Sequence, residues 1–141
     1  MPWSSRAATY EVVLSAHTDR RYNGVEFMAD NIFAKIIRKE IPAKIVYEDD
    51  RALAFRDINP KAPVHILILP KKDIARVSEA RAEDEPLLGH LLTVAAEIAR
   101  KEGIDGTGYR LVINKGEHAG ESVPHLHLHL LGGRPMDWPP G

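Results

Sequence analysis

Apolar positions recur along the chain with two periods, and their order outlines a fold. Asn31 can cap a helix, and Ile32, Phe33, Ile36 and Ile37 form an apolar stripe with Lys35, Arg38 and Lys39 outside it. This predicts a short helix stopped by Pro42. Residues 44–48 alternate as a strand, 49–51 read as a turn, and 52–57 read as the second arm of a hairpin. Pro60 and Pro63 stiffen the connection to residues 64–70, a near-continuous apolar run. That run predicts a central strand buried on both faces, with His65 at its start. A short helical turn is expected within 73–80. The longest helix is expected at about 83–101, with Leu87, Leu88, Leu91, Leu92, Ala95 and Ile98 as its apolar stripe. Glu83, Asp84 and Glu85 at its start and Arg100 and Lys101 at its end suit the helix dipole, and Gly103 is its expected stop. Residues 109–114 read as a strand, 115–122 as a glycine-bearing loop, and a last strand follows. The expected fold class is α+β: a mostly antiparallel sheet of about five strands with one long and one short helix packed on it.

The last strand organises the rest. His125, His127 and His129 alternate with Leu126, Leu128 and Leu130, ahead of Leu131, Gly132 and Gly133. On a strand the imidazoles would share one face and the leucines the other, with neighbouring histidines roughly 6–7 Å apart. Burial of the leucine face pins the register, because a slip of one residue would bury imidazoles and expose leucines.

Residues 1–27 fit this pattern poorly. Their one strand-like piece is 10–14, and the well-patterned sequence begins just after Met28. The expectation is an N-terminal extension over 1–27, disordered or a mis-assigned start, followed by one domain over 28–141. Composition adds limits. A net charge of −1 provides no global field to recruit nucleic acid or an anionic membrane. With no cysteine, disulfides, thiolate metal sites and cysteine nucleophiles are excluded. No apolar run reaches the roughly 18–20 residues of a membrane span, and residues 12–14 are too short for a signal-peptide core of about 7–15. A cytoplasmic location is the default expectation.

Three chemistries suit alternating histidines. Neutral imidazoles ligate metals, but three along one strand span roughly 13 Å, so at most two could share an ion at about 2.0–2.1 Å. The histidines could simply form the wet face of a strand. Or a neutral imidazole could attack phosphorus, with its neighbours binding phosphoryl oxygens and moving protons. The backbone amides of the preceding loop, the freedom of Gly120 and the Ser122 hydroxyl suit an anion.

At this point the residues carry a resemblance. Residues 125–131 resemble the signature of the histidine triad (HIT) superfamily, His-φ-His-φ-His-φ-φ with φ apolar. Residues 32–44, 57–65 and 132–134, with Trp138 to Gly141, resemble its Hint branch, the purine nucleoside phosphoramidases. The resemblance covers about residues 28–141. It implies a HIT-like fold, a symmetric homodimer, and cleavage of the P–N bond of a purine nucleoside 5′-phosphoramidate, without metal or cofactor. His127 corresponds to the nucleophile, His129 to the histidine on the phosphate, His125 to the supporting first member, and His65 to a fourth histidine in the proton relay. Asn114 and Ser122 correspond to side chains near the phosphate and leaving group. Asp57 corresponds to the carboxylate on the ribose hydroxyls and Ile58 to its neighbour at the sugar. Ile32, Phe33, Ile36 and Phe55 correspond to the apolar slot for the base; read bare, those four are core.

One departure stands out: Glu121 occupies a position where the branch often has glutamine, and an anion beside a phosphate is unfavourable unless it points away. Trp138 sits in a proline-rich tail, where a large aromatic usually finds a partner surface. In the branch that tail reaches the neighbouring subunit's active site. The competing readings are a dinucleoside polyphosphate hydrolase, a nucleotide-binding adaptor with incidental catalysis, and a zinc-binding protein.

Overall fold

The computed structural model describes residues 30–141. The strand-like piece at 10–14 and the proposed boundary at Met28 lie outside the described residues. Helix α1 spans Ile32–Ile37, strands β1, β2 and β3 span Ile45–Glu48, Ala52–Arg56 and Val64–Pro70, helix α2 spans Glu85–Lys101, and strands β4 and β5 span Tyr109–Val112 and Leu128–Gly132. The five strands form one sheet in the order β1-β2-β3-β5-β4, and every neighbouring pair is antiparallel. The α+β expectation and the element order agree with this architecture.

The period-two alternation of β2, β3 and β5 divides the core between two faces. Ala52, Ala54, Ile66, Ile68, Leu128 and Leu130 face α2, where they meet Leu91, Val94, Ala95, Ile98 and Ala99. Leu53, Phe55, Leu67 and Leu69 point the other way, onto Ile32, Phe33 and Ile36 of α1. The central strand, as expected of a run apolar at nearly every position, is buried on both sides. His65 shares the parity of Leu67 and Leu69, and His129 pairs directly with Leu67. Both histidines therefore stand on the α1 face.

The α2 stripe is turned relative to expectation. Val94 and Ala99 are buried, Leu87 and Leu88 are only partly so, and Leu92 is 50% exposed. The helix needs only one stripe wide enough for the sheet, and 91, 94, 95, 98 and 99 supply it at 3–4 spacing. Helix α1 is capped as expected, with the Asn31 side chain accepting from the Ala34 amide. It ends well before Pro42. Lys39 enters the left-handed region (φ 64°), the Glu40 amide turns back to the Lys35 carbonyl and the Lys39 amide to Ile36, which is a Schellman ending.

Candidate active site

The histidine segment corrects one expectation and meets another. Strand pairing begins only at Leu128, so His125 and His127 precede β5 and only His129 lies within it. The alternation nevertheless persists: Leu126, Leu128 and Leu130 all join the α2-side core. The expected display of imidazoles on an open face does not occur. His125 and His127 are 2% and 7% exposed, because α1 covers that side.

Four anchors hold the non-repetitive approach to the triad. The Asn31 amide, fully buried, donates to the Pro124 carbonyl at 3.2 Å. The Leu126 amide donates to Ile74 O at 2.7 Å, and His125 Nε2–H donates to Pro70 O at 2.8 Å. Glu121 accepts from Arg76 Nε and Nη2, at 3.1 and 2.9 Å to Oε2. These partners lie 45 to 93 positions away in the chain, beyond the reach of any local pattern.

Hydrogen-bond logic then assigns the tautomers. A carbonyl oxygen only accepts, so His127 Nδ1, 2.7 Å from His125 O, carries the proton. The His127 lone pair is left on Nε2, which bonds nothing among the described residues. The Lys61 amide donates to His65 Nδ1 at 3.0 Å, so the His65 proton sits on Nε2. That N–H donates to His129 Nδ1 at 3.0 Å, which places the His129 proton on its Nε2. The rings of His127 and His129 are 5.0 Å apart, closer than an extended strand would set them, and those of His65 and His129 are 5.3 Å apart. Phe33 meets His127 edge-on at 4.9 Å.

Burial sets the charge. It pushes His125 and His127 below the ordinary histidine value, against weaker opposing pulls from their carbonyl bonds and nearby carboxylates. It pushes His129 down to about 4, and the neighbouring imidazoles His127 and His65 add to this. His65 is likewise lowered by burial, with Asp57 opposing. At pH 7 the cluster is a set of neutral imidazoles, as a nucleophile and its hydrogen-bond partners require. His125 differs from the other three: its Nδ1 is buried without a partner and its Nε2 is committed to Pro70. It acts as a strut.

Asp57 approaches His65 Nε2 at 3.4 Å and accepts from the Asn59 amide through its other oxygen. Asp57, His65 and His129 present three atoms within 4.8 Å of one another, a spacing a metal could use. The Lys61 amide argues against an ion there. It occupies the Nδ1 lone pair of His65, so Nε2 must hold the proton and has no lone pair for an ion.

The remaining residues singled out from sequence fall as follows. Ile32, Phe33, Ile36 and Phe55 are all at most 2% exposed and pack together with Leu53, Leu67 and Leu69. All four lie in the apolar cluster on the α1 side of the sheet. The Phe33 ring also meets His127. Ile58 and Asn114 are half-buried, and Gly120 and Ser122 are exposed on the loop. Gly120 adopts φ 78° and Gly116 φ 87°, conformations that glycine reaches without strain. Glu121 points into Arg76 and the Gly116 amide. Trp138 is 81% exposed, with the Arg110 guanidinium 5.9 Å from its ring centre. Sequence reasoning missed Arg76, the Lys61 amide and the Pro70 and Ile74 carbonyls. The rigid segment between Pro60 and Pro63 was a usable signal for Lys61; Arg76 carried none.

The model of the HIT domain matches residues 38–136. The chain belongs to the HIT family. An uncharacterized HIT-like protein of Synechocystis is 62% identical over 112 residues, spanning 79% of this chain and 97% of that one. A HIT family hydrolase from Legionella pneumophila superimposes with a TM-score of 0.76 at 52% identity, covering 77% of this chain and 97% of that one. A histidine triad nucleotide-binding protein from Candida albicans gives 0.66 at 31% identity, covering 77% of this chain and 82% of that one. The HIT signature of this chain is thus seated on the HIT fold. No helix among the described residues is long and apolar enough to cross a membrane.

Proposed function

We propose that this HIT protein is a metal-independent purine nucleoside phosphoramidase of the Hint branch. The observation that carries the reading is the bond from His127 Nδ1–H to the His125 carbonyl, which leaves a neutral imidazole with its Nε2 lone pair unengaged. In the reaction, His127 Nε2 attacks the α-phosphorus and the P–N bond breaks. The amine leaves with a proton taken from solvent beside the exposed Ser122. Water then hydrolyses the nucleotidyl-histidine, releasing nucleoside monophosphate and restoring neutral His127. His129, a donor through Nε2–H, bonds a phosphoryl oxygen, and His65 holds it in that tautomer. The glycine-bearing loop adds backbone N–H groups, with Asn114 beside it. Asp57 takes the ribose hydroxyls next to Ile58, and the Ile32, Phe33, Ile36 and Phe55 cluster floors the base site. A hydrolase and a nucleotide-binding protein among the structural relatives support the substrate class.

The same reading includes a homodimer. Among the described residues strand β4 is an edge of the sheet. Beside it Ile113, Leu92 and Val77 are 44%, 50% and 37% exposed around a shallow apolar pocket, and Trp138 is nearly free. Light scattering of the purified chain tests this; a monomer at micromolar concentration overturns it.

The chemical test is mass spectrometry after rapid mixing with a slowly hydrolysed adenosine phosphoramidate in EDTA. A nucleotidyl adduct on His127 is expected. An adduct on another residue, or none while product forms, refutes the nucleophile assignment.

A further inference from the structure

The stretch 121–126 is tied at both ends to one short segment, 74–76. At one end the Leu126 amide donates to Ile74 O. At the other, Arg76 grips Glu121 with a fork: Nη2 lies 2.9 Å and Nε 3.1 Å from Oε2, and Nε lies 3.2 Å from Oε1. Glu121 also closes its own loop. Its Oε1 accepts from the Gly116 amide at 2.8 Å, and its amide donates to Gly116 O at 3.1 Å. The loop inside that closure, with both glycines at positive φ, has no sheet bonds to hold it. Between the two ties hang Ser122, Val123, Pro124 and His125, whose carbonyl orients the His127 ring.

We propose that Arg76 and Glu121 are a positioning pair, in which the ionised carboxylate of Glu121 holds the 116–120 loop and the approach to His127 in register with the 74–76 segment. The carboxylate form is required by donor counting. Three N–H groups converge on its two oxygens, and a side-chain amide in the same place would aim an NH₂ at a guanidinium, which has no acceptor. The pair is half-buried, with side-chain exposures of 30% and 11%, so it is less screened than a surface contact. The charges reinforce each other: Arg76 holds Glu121 below the usual carboxylate range, and Glu121, with Glu79, raises the guanidinium. Glu121 also acts on His127 through space. Four titratable groups act on that ring through space: Glu121 and Asp57, which favour its protonation, and His125 and His129, which burial keeps neutral.

The inference rests on His127 as the reactive histidine, so its test includes a measurement independent of turnover. In the first arm, ¹³C-labelled histidine NMR follows the His127 titration in wild type and Glu121→Gln. Removing the anion takes away a raising influence, so the His127 titration midpoint falls in the variant. Thermal unfolding confirms that the near-isosteric variant is folded. In the second arm, phosphoramidate hydrolysis is measured for Glu121→Gln, Arg76→Gln, Arg76→Lys and the double glutamine variant. Each glutamine variant should lose between about tenfold and a hundredfold in kcat with KM little changed, the size expected of lost orientation. The double variant should be no worse than either single, and Arg76→Lys, which keeps the charge but not the fork, should recover part of the loss. An unmoved His127 midpoint together with additive losses overturns the proposal. A shifted midpoint in a chain without phosphoramidase activity upholds the pair and instead refutes the proposed reaction.

Discussion

Two hydrogen-bond networks of this molecule are built on histidine rings and end differently. At the β1–β2 turn, His90 Nε2–H donates to Asp49 at 2.6 Å while Arg51 donates to His90 Nδ1 at 3.2 Å. Tyr47 O–H and the amides of Arg51 and Ala52 also converge on Asp49. Every polar atom of the ring has a protein partner. The hydrogen bond to Asp49 pushes the Tyr47 phenol up to about 12, and the donors on Asp49 hold its carboxyl far below the usual range against its burial. At the triad, by contrast, each hydrogen-bond chain runs from the backbone through a ring and stops at a nitrogen that bonds nothing among the described residues: from the His125 carbonyl to His127 Nε2, and from the Lys61 amide through His65 to His129 Nε2. A closed network ties a turn to a helix. A network left open at one end keeps directed lone pairs and N–H groups for something that is not protein.

The contrast is broken most severely at its open end. His127→Ala should remove turnover by on the order of 10⁴-fold or more in a chain that still folds, as measured by single-turnover kinetics and calorimetry. Undiminished activity there means that the open nitrogen is not the nucleophile. His65→Ala comes next. It frees His129 to take the other tautomer, and a loss of about 10²–10³-fold in kcat is expected, within the range of proton-handling residues. If His65→Asn, which also carries an N–H, recovers none of the loss, then His65 does more than hold a tautomer.

The pH dependence sharpens the same point. Burial lowers the folded-state values of His125, His127, His129 and His65, so the acid limb of kcat should lie below the ordinary histidine value of 6.5. Stability follows with a defined sign. The unfolded chain takes up protons near 6.5 and the folded chain only lower, towards about 4 at His129. The folded state is therefore at full stability above about 6.5 and loses it as pH falls through that window. Urea unfolding at pH 7 and pH 5 checks this; equal midpoints would contradict the buried, neutral cluster. The smallest effect belongs to the closed network. His90→Ala should cost about 1–3 kcal/mol of stability, the range for leaving a bonded acceptor unsatisfied, with kcat unchanged. A kinetic effect there would erase the distinction between the two networks.

Much of this was legible in one dimension. The two periods placed the five strands and two α-helices of the described residues, and the Asn31 cap is the one found. The errors arose where distant backbone overrules a local pattern. His125 and His127 alternate faultlessly with leucines, yet the Pro70 and Ile74 carbonyls and the Asn31 side chain hold them off the ladder. Alternation reports which face a side chain takes, and the two leucines bracketing His127 do take the α2 face; it says nothing of which backbone groups pair. The α2 stripe was misjudged at Leu92 because residue type alone does not show how wide a surface the sheet presents. Glu121 reads in sequence as an awkward anion, and its partner, Arg76, lies 45 positions away with no motif around it.

By itself, then, the sequence determined the period of each element, the face each leucine of the triad takes, and the residue types able to attack phosphorus. These follow from side-chain geometry and chemistry, which are local. The tertiary structure alone decided which nitrogen of each histidine carries the proton, that the rings are buried and so neutral, and that the Glu121 charge is answered. Those properties depend on a single carbonyl, amide or guanidinium brought within about 3 Å by the fold, and hydrogen-bond energy falls away too steeply with distance and angle for a pattern along the chain to record it.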